Sequence, residues 1–164
     1  MREWYRKGLR FRCARCGDCC TGAPGHVWIT PGEERRIARL LRLAPARFRR
    51  RYTRRVEERR SLVEKAGGDC VFLTPDRRCA VQGAKPRQCL AFPFWPAVVA
   101  TPAAWRERGR TCPGMGRGDL YAAAEVRRIA DPATPRQSLV EILAAPRGPD
   151  GPRAPAPLAG GGSG

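Results

Sequence analysis

Lysine and histidine are scarce in this chain, which has three lysines and one histidine among 164 residues. A lone histidine without a nucleophile motif excludes a recognisable Ser-His-Asp arrangement. The chain also lacks the G-x-x-x-x-G-K-S/T phosphate loop and any G-x-G-x-x-G stretch after a predicted strand, so no nucleotide-binding motif is present. No apolar run is long enough to cross a bilayer, and we expect no membrane association.

The N-terminal residues 1–8 are polar and basic, and they lack the apolar segment of a secretory signal peptide. We therefore expect a cytoplasmic protein whose thiols are reduced. Eight cysteines could otherwise form four disulfides in a secreted protein, but in a cytoplasmic protein such a pattern favours metal ligation.

Positive charge dominates the sequence, with 32 basic against 15 acidic residues and a net charge of +17. Such a chain attracts nucleic acids and other polyanions, but no base-reading motif accompanies the arginines. Arginine bias can also arise from a GC-rich genome. We expect at most non-specific nucleic-acid binding, and the sequence leaves any protein partner unknown.

The most informative stretch is Phe11–Cys20, which holds four of the eight cysteines within eight residues. Cys13, Cys16 and Cys19 have the C-x2-C-x2-C spacing that opens the bacterial ferredoxin run, but the place of the fourth ligand is taken by Ala23-Pro24. A structural zinc site more often pairs two separate C-x2-C knuckles. The spacing favours a 4Fe-4S cluster, with zinc as the alternative.

These cysteines and their flanks resemble the YkgJ-like cysteine-cluster family of zinc- or iron-chelating domains, also written CxxCxxCC. The resemblance covers roughly residues 11 to 112. The matching later segments are Gly68–Leu73, Arg78-Cys79, Pro86–Cys89 and Phe92–Phe94. The resemblance implies metal chelation and assigns no reaction. The candidate metal ligands are Cys13, Cys16, Cys19, Cys20, Cys70, Cys79, Cys89 and Cys112.

Eight thiols can form two sets of four, and adjacent Cys19 and Cys20 must point in different directions. The preferred division places Cys13, Cys16, Cys19 and Cys112 around one centre and Cys20, Cys70, Cys79 and Cys89 around a second. A single cluster that uses four of the eight is the alternative. His26 could ligate a metal, but a histidine in a Gly-rich loop is more often a bystander.

The fold class we predict is a small α+β metal-dependent domain over residues 1–145. In it a cysteine-cluster loop, a short β-hairpin and about four helices surround the metal site or sites. Residues 146–164 are rich in proline and glycine, which predicts a disordered tail.

Helix-capping residues and prolines predict where the helices and strands begin and end. Thr30–Glu33 is a capping box that predicts a helix start, and residues 46–60 read as a thin amphipathic helix or an exposed linker. The predicted hairpin joins 70–73 to 79–81, and Pro86 starts a helical turn that carries Cys89. The remaining predictions are a strand at 98–100, a polar connection at 101–110, a helix at 119–130, and a helix at 138–145 behind a capping box at 134–137.

Three functions compete. The first is a metal-binding protein with a structural or electron-transfer centre. The second is an accessory or reduced relative of flagellin lysine N-methylases, although the length leaves no room for a separate S-adenosylmethionine-binding domain. The third is a zinc-dependent basic nucleic-acid-binding module, which charge alone supports. We expect that the chain is not an enzyme on its own.

Overall fold

The computed structural model describes residues 3–22, 25–148 and 151–152, and in these ranges the chain is a small α+β protein. The helices are α1 Pro31–Leu40, α2 Pro45–Tyr52, α3 Arg87–Leu90, α4 Pro96–Val99, α5 Pro102–Gly109, α6 Ala123–Ala130 and α7 Arg136–Ala144. The strands are β1 Leu9–Phe11, β2 Thr53–Val56, β3 Arg59–Leu62, β4 Asp119–Tyr121, β5 Arg147–Gly148 and β6 Gly151–Pro152. The described part thus has seven helices, not about four. None of them is long and apolar enough to cross a membrane.

The strands form two-stranded antiparallel sheets. β1 pairs with β4, so that Leu9 lies opposite Tyr121, and β2 pairs with β3 as a hairpin. β5 pairs with β6 inside the segment that was predicted to be a disordered tail. The other tail residues, 149–150 and 153–164, lie outside the described residues, and the domain boundary at residue 145 stays a prediction.

Helix α1 begins where the capping box predicts. The Thr30 hydroxyl accepts a hydrogen bond from the Glu33 backbone N–H at 3.3 Å, and the Glu33 carboxylate accepts one from the Thr30 N–H at 2.8 Å. Pro31 occupies the first helical position, where a missing N–H removes no helical hydrogen bond. Ile37 and Ala38 then lie on the buried face.

The interpretation of residues 46–60 as one helix or linker is wrong. Helix α2 ends at Tyr52, and the chain continues into the β2–β3 hairpin. Its turn contains Glu57 at φ 51°, a conformation that glycine usually takes, so the usual hairpin signal is missing. Long-range packing holds the hairpin instead, because Ser61 bridges to Trp28 and Leu62 enters the core.

The predicted hairpin between 70–73 and 79–81 is reduced to a turn. One bridge joins Leu73 to Cys79, and the Thr74 N–H donates to the Arg78 carbonyl at 2.8 Å. Cys70 bridges to Glu64 instead. The turn nevertheless returns the chain on itself at this point and brings Cys79 next to the segment that carries Cys70.

Three later assignments are corrected. Val98 and Val99 are the end of helix α4 and not part of a strand. Residues 101–110 contain helix α5, whose N-cap Thr101 accepts a hydrogen bond from the Ala104 N–H at 3.1 Å. Both helices have proline in the first turn. Asp119–Tyr121 is a strand because it pairs with β1, so the helix begins only at Ala123.

The predictions of a helical turn at Pro86 and of a helix at 138–145 agree better with the structure. The turn at Pro86 is confirmed as α3, which carries Cys89. Helix α7 starts near the expected place, but no side-chain cap is formed at its N-terminus.

Two groups of buried side chains form the interior. The first contains Phe11, Phe92, Phe94, Tyr121 and apolar residues of α6 and α7. The second contains Ile29, Ile37, Phe48, Phe72 and neighbours. Cys19 packs against the first group, whereas Cys70 and Cys79 pack against the second. The cysteines therefore lie where the two cores meet.

Candidate metal centre

The cysteine loop follows β1 and is held by close backbone contacts. Gly17 has φ 74°, and a Cβ at this position would lie 2.4 Å from the Arg77 carbonyl oxygen. The Arg77 Nε donates back to the Cys16 carbonyl at 3.1 Å. A positive φ and this close approach both require glycine, so Gly17 fixes the loop against the 74–78 turn.

The far end of the loop is a 3₁₀ turn, Asp18–Cys20, which turns two adjacent cysteines toward the later segments. The Cys70 N–H donates to the Cys20 carbonyl at 2.8 Å. This bond joins the first cysteine cluster to the next cysteine, fifty residues later in the chain.

Five thiols make up what we call the thiol group. Its members are Cys19, Cys20, Cys70, Cys79 and Cys89. The Sγ atoms of Cys19 and Cys20 lie 3.8 Å apart, and the Cys20 thiol also interacts with that of Cys70. Cys79 and Cys89 are close enough for their charged forms to repel those of Cys19 and Cys70.

Protonation differs sharply within the thiol group. Hydrogen bonding to Cys20 lowers the pKa of Cys19 to about 6 and that of Cys70 to about 7. The same bonds raise the pKa of Cys20, because its proton is shared with two thiolates. Burial raises the pKa of Cys79 and Cys89. Two thiolates are thus available near neutral pH before any metal binds.

Three cations stabilise these thiolates. Lys85 and Arg108 lower the pKa of Cys19, and Lys65 lowers that of Cys70. Arg108 is held by an ion pair with Asp18 at 3.2 Å. Nearby positive charge favours the deprotonated thiol, which is the form that binds metals.

A cavity of about 480 Å³ opens beside the thiol group. Seven cysteines line it, namely Cys13, Cys16, Cys19, Cys20, Cys79, Cys89 and Cys112. Phe11, Phe92 and Tyr121 form part of its wall, so aromatic side chains cover one side of the cavity.

The other three cysteines have different surroundings. Cys13 is exposed, Cys16 is half-buried, and Cys112 is buried in the first core. The charged form of Cys16 raises the pKa of Cys112, after the larger effect of burial. The structure thus brings Cys16 near Cys112, while Cys19 lies with Cys20 and Cys70. His26 stacks on Trp28 at 4.7 Å and does not line the cavity among the described residues.

The donor set suits zinc or iron, since soft thiolates bind both metals. A tetrahedral Zn–S distance near 2.3 Å separates two thiolate sulfurs by about 3.8 Å, which equals the Cys19–Cys20 spacing. Across the described residues, however, no three Cys, His, Asp or Glu side chains are placed so that they could hold a metal ion. Metal binding therefore requires side chains of the thiol group to rotate inward.

Sequence reasoning missed the cations. Two of the three lysines in the chain, Lys65 and Lys85, influence the thiol group, whereas arginine supplies nearly all other positive charge. Because lysine is scarce in the chain, its presence at these two positions was a signal that could have identified Lys65 and Lys85. Arg77 was also missed, because nothing in its surroundings in the sequence indicates a bond to the Cys16 carbonyl.

Comparison with known proteins places these residues in a family context. The family model CxxCxxCC, described as "Putative zinc- or iron-chelating domain", matches residues 12–113. The chain is also 28% identical over 91 residues to Uncharacterized protein MJ0661 of Methanocaldococcus jannaschii. That match covers 55% of this chain and 48% of the relative, so the chain spans about half the length of the relative. No solved structure matches.

Proposed function

Because the chain belongs to the CxxCxxCC family, we propose that it binds one zinc or iron ion through the thiolates of Cys19, Cys20 and Cys70. The observation that carries this proposal is the contact of the Cys20 thiol with the thiols of Cys19 and Cys70. Side-chain rotations within the thiol group bring these three thiolates onto one ion and add Cys79 or Cys89 as the fourth. A closed set of four thiolates is typical of a structural or electron-transfer site and leaves no open position for a substrate.

The surrounding residues give this site its properties. Lys85, Arg108 and Lys65 favour the thiolate forms, so metal binding releases fewer protons at neutral pH than it would from unperturbed cysteines. Because Cys19 packs on one core and Cys70 on the other, the bound metal would join the two halves of the interior. The metal therefore contributes to the stability of the fold.

A 4Fe-4S cluster is the second candidate. The observation in its favour is the cavity of about 480 Å³ with seven cysteines on its wall, which offers more room and more ligands than one ion uses. Such a cluster separates its cysteine ligands more widely, because each one binds a different iron atom. The pair Cys16 and Cys112 would then take part, as in the division predicted from the sequence.

Metal analysis of the chain purified without oxygen tests the proposal, together with a visible spectrum and an assay for acid-labile sulfide. A single ion predicts close to one zinc or iron per chain and no labile sulfide. Labile sulfide in the same amount as iron, with a brown colour, would favour the cluster. A chain that takes up neither zinc nor iron, even after reconstitution, would overturn both candidates.

A further inference from the structure

The mouth of the cysteine cavity is basic. Arg12, Arg15, Arg77 and Arg78 line it, and we call these four residues the basic rim. Asp119 is the one acidic residue on the cavity wall within the described part of the chain, and it forms an ion pair with Arg12 at 3.1 Å. Asp76 pairs with Arg78 at 3.2 Å. The rim keeps a net positive charge after both pairs are formed.

The backbone of the rim is unusual at two places. Arg15 has φ 52° and Arg77 has φ 60°, which are left-handed conformations that residues other than glycine rarely adopt. One residue lies in the cysteine loop and the other in the 74–78 turn, so two separate segments present arginine to the same opening.

A lysine lies deeper in the cavity wall. Lys85 is 9% exposed and lines the cavity. Its positive charge favours an anion in the cavity. The thiols of Cys19, Cys79 and Cys89 lie within its electrostatic range, and the thiolate of Cys19 supplies part of that negative charge.

The charge of the rim has the wrong sign for capturing a free metal ion. A positive opening repels a hydrated dication, whereas it raises the local concentration of anions and their rate of arrival. We propose that the site takes its metal from an anionic complex, in which carboxylate groups already hold the ion. This inference rests on the proposed metal-binding function and names the class of metal donor that serves the same site.

The transfer is a ligand exchange without a change of oxidation state. Bonds between the metal and the donor's carboxylates break, and bonds between the metal and the cysteine thiolates form. The thiols that are still protonated release their protons to solvent, and the free carboxylate ligand leaves past the rim.

The rate of metal uptake tests the proposal. Apo full-length chain is mixed anaerobically with cobalt(II), either as the hydrated ion or as its nitrilotriacetate complex, which has a net charge of −1. Thiolate-bound cobalt absorbs visible light, so uptake is followed directly. The rim variant is R12Q/R15Q/R78Q, which leaves the Arg77 bond to the loop intact. The charge-matched control is R39Q/R47Q/R50Q, whose arginines are exposed on α1 and α2.

We expect the rim variant to load about tenfold more slowly than the control from the anionic complex at low salt. This difference should shrink as salt screens the charges, and loading from the hydrated ion should be unchanged or faster in the rim variant. Circular dichroism confirms that both variants fold.

Equal loading rates of the two variants from the anionic complex would overturn the inference alone. Failure of the unmodified chain to bind cobalt from either source would instead overturn the proposed function.

Discussion

The two ends of the cysteine loop lie in different surroundings, although their cysteines follow one regular spacing. At the first end Cys13 is exposed to solvent, and at the other Cys19 and Cys20 lie in a 3₁₀ turn between the two cores. Cations and neighbouring thiols adjust the pKa values at the second end. The difference teaches that a regular C-x2-C-x2-C spacing does not give its three thiols the same surroundings.

Single-cysteine variants should show the largest difference between the two ends of the loop. Replacing Cys20 with serine should abolish metal binding, because Cys20 contacts both Cys19 and Cys70. Replacing Cys13 with serine should leave most of the metal in place. Metal content per chain, measured after gel filtration, checks both variants. Equal losses in the two variants would show that the ends of the loop serve one centre.

Gly17 lies between the two ends of the loop and should also matter for the stability of the fold. Replacing Gly17 with alanine forces a Cβ against the Arg77 carbonyl at a positive φ, and we expect a loss of roughly 2 kcal/mol or more in the free energy of unfolding. Gly83 is the matched control, since a Cβ there meets nothing within 4 Å. Urea unfolding of the apo chains measures both. A loss confined to the control would contradict the role given to Gly17.

The protonation of the Cys19 thiol should show the smallest of the expected differences between the two ends of the loop. The pKa of Cys19 is lowered to about 6, so its thiolate persists as the pH falls from 8 to 7 and is protonated only near pH 6. Alkylation of Cys19 by iodoacetamide in the apo chain should therefore stay fast at pH 7, as followed by mass spectrometry of the peptides. K85Q should move the midpoint of this profile to higher pH, because a positive charge is lost.

The conservative variant K85R serves as the control, since it keeps the charge. A profile for K85Q that coincides with that of the unmodified chain would show that Lys85 does not act on the thiol group. A midpoint near the usual thiol pKa of about 8.5 in the unmodified chain would contradict the lowered pKa itself.

Local signals in the sequence were sufficient where one short segment determines the structure. The capping box at Thr30 and the proline before α3 predicted helices that are present. The family resemblance was likewise carried by cysteines and their immediate neighbours, and the family model confirms it over residues 12–113.

Features that depend on distant contacts were not predictable in this way. Asp119–Tyr121 is a strand because of its partner β1, and the β2–β3 turn contains no glycine. The preferred division of the cysteines stays a prediction, and Cys19, which it assigns to the first centre, contacts Cys20 of the second. Adjacent cysteines on a 3₁₀ turn were expected to diverge, whereas their sulfurs lie 3.8 Å apart.

The pairing of β1 with β4 has a consequence for the order of events during synthesis. Leu9 is made before its partner Tyr121, which follows more than a hundred residues later. At about 5–20 residues per second, the delay is roughly 5 to 20 s. During that interval β1 has no partner strand, and the cysteines that follow it are open to any thiol-reactive compound in the cell. The pairing that holds the start of the cysteine loop thus forms only after β4 has been made.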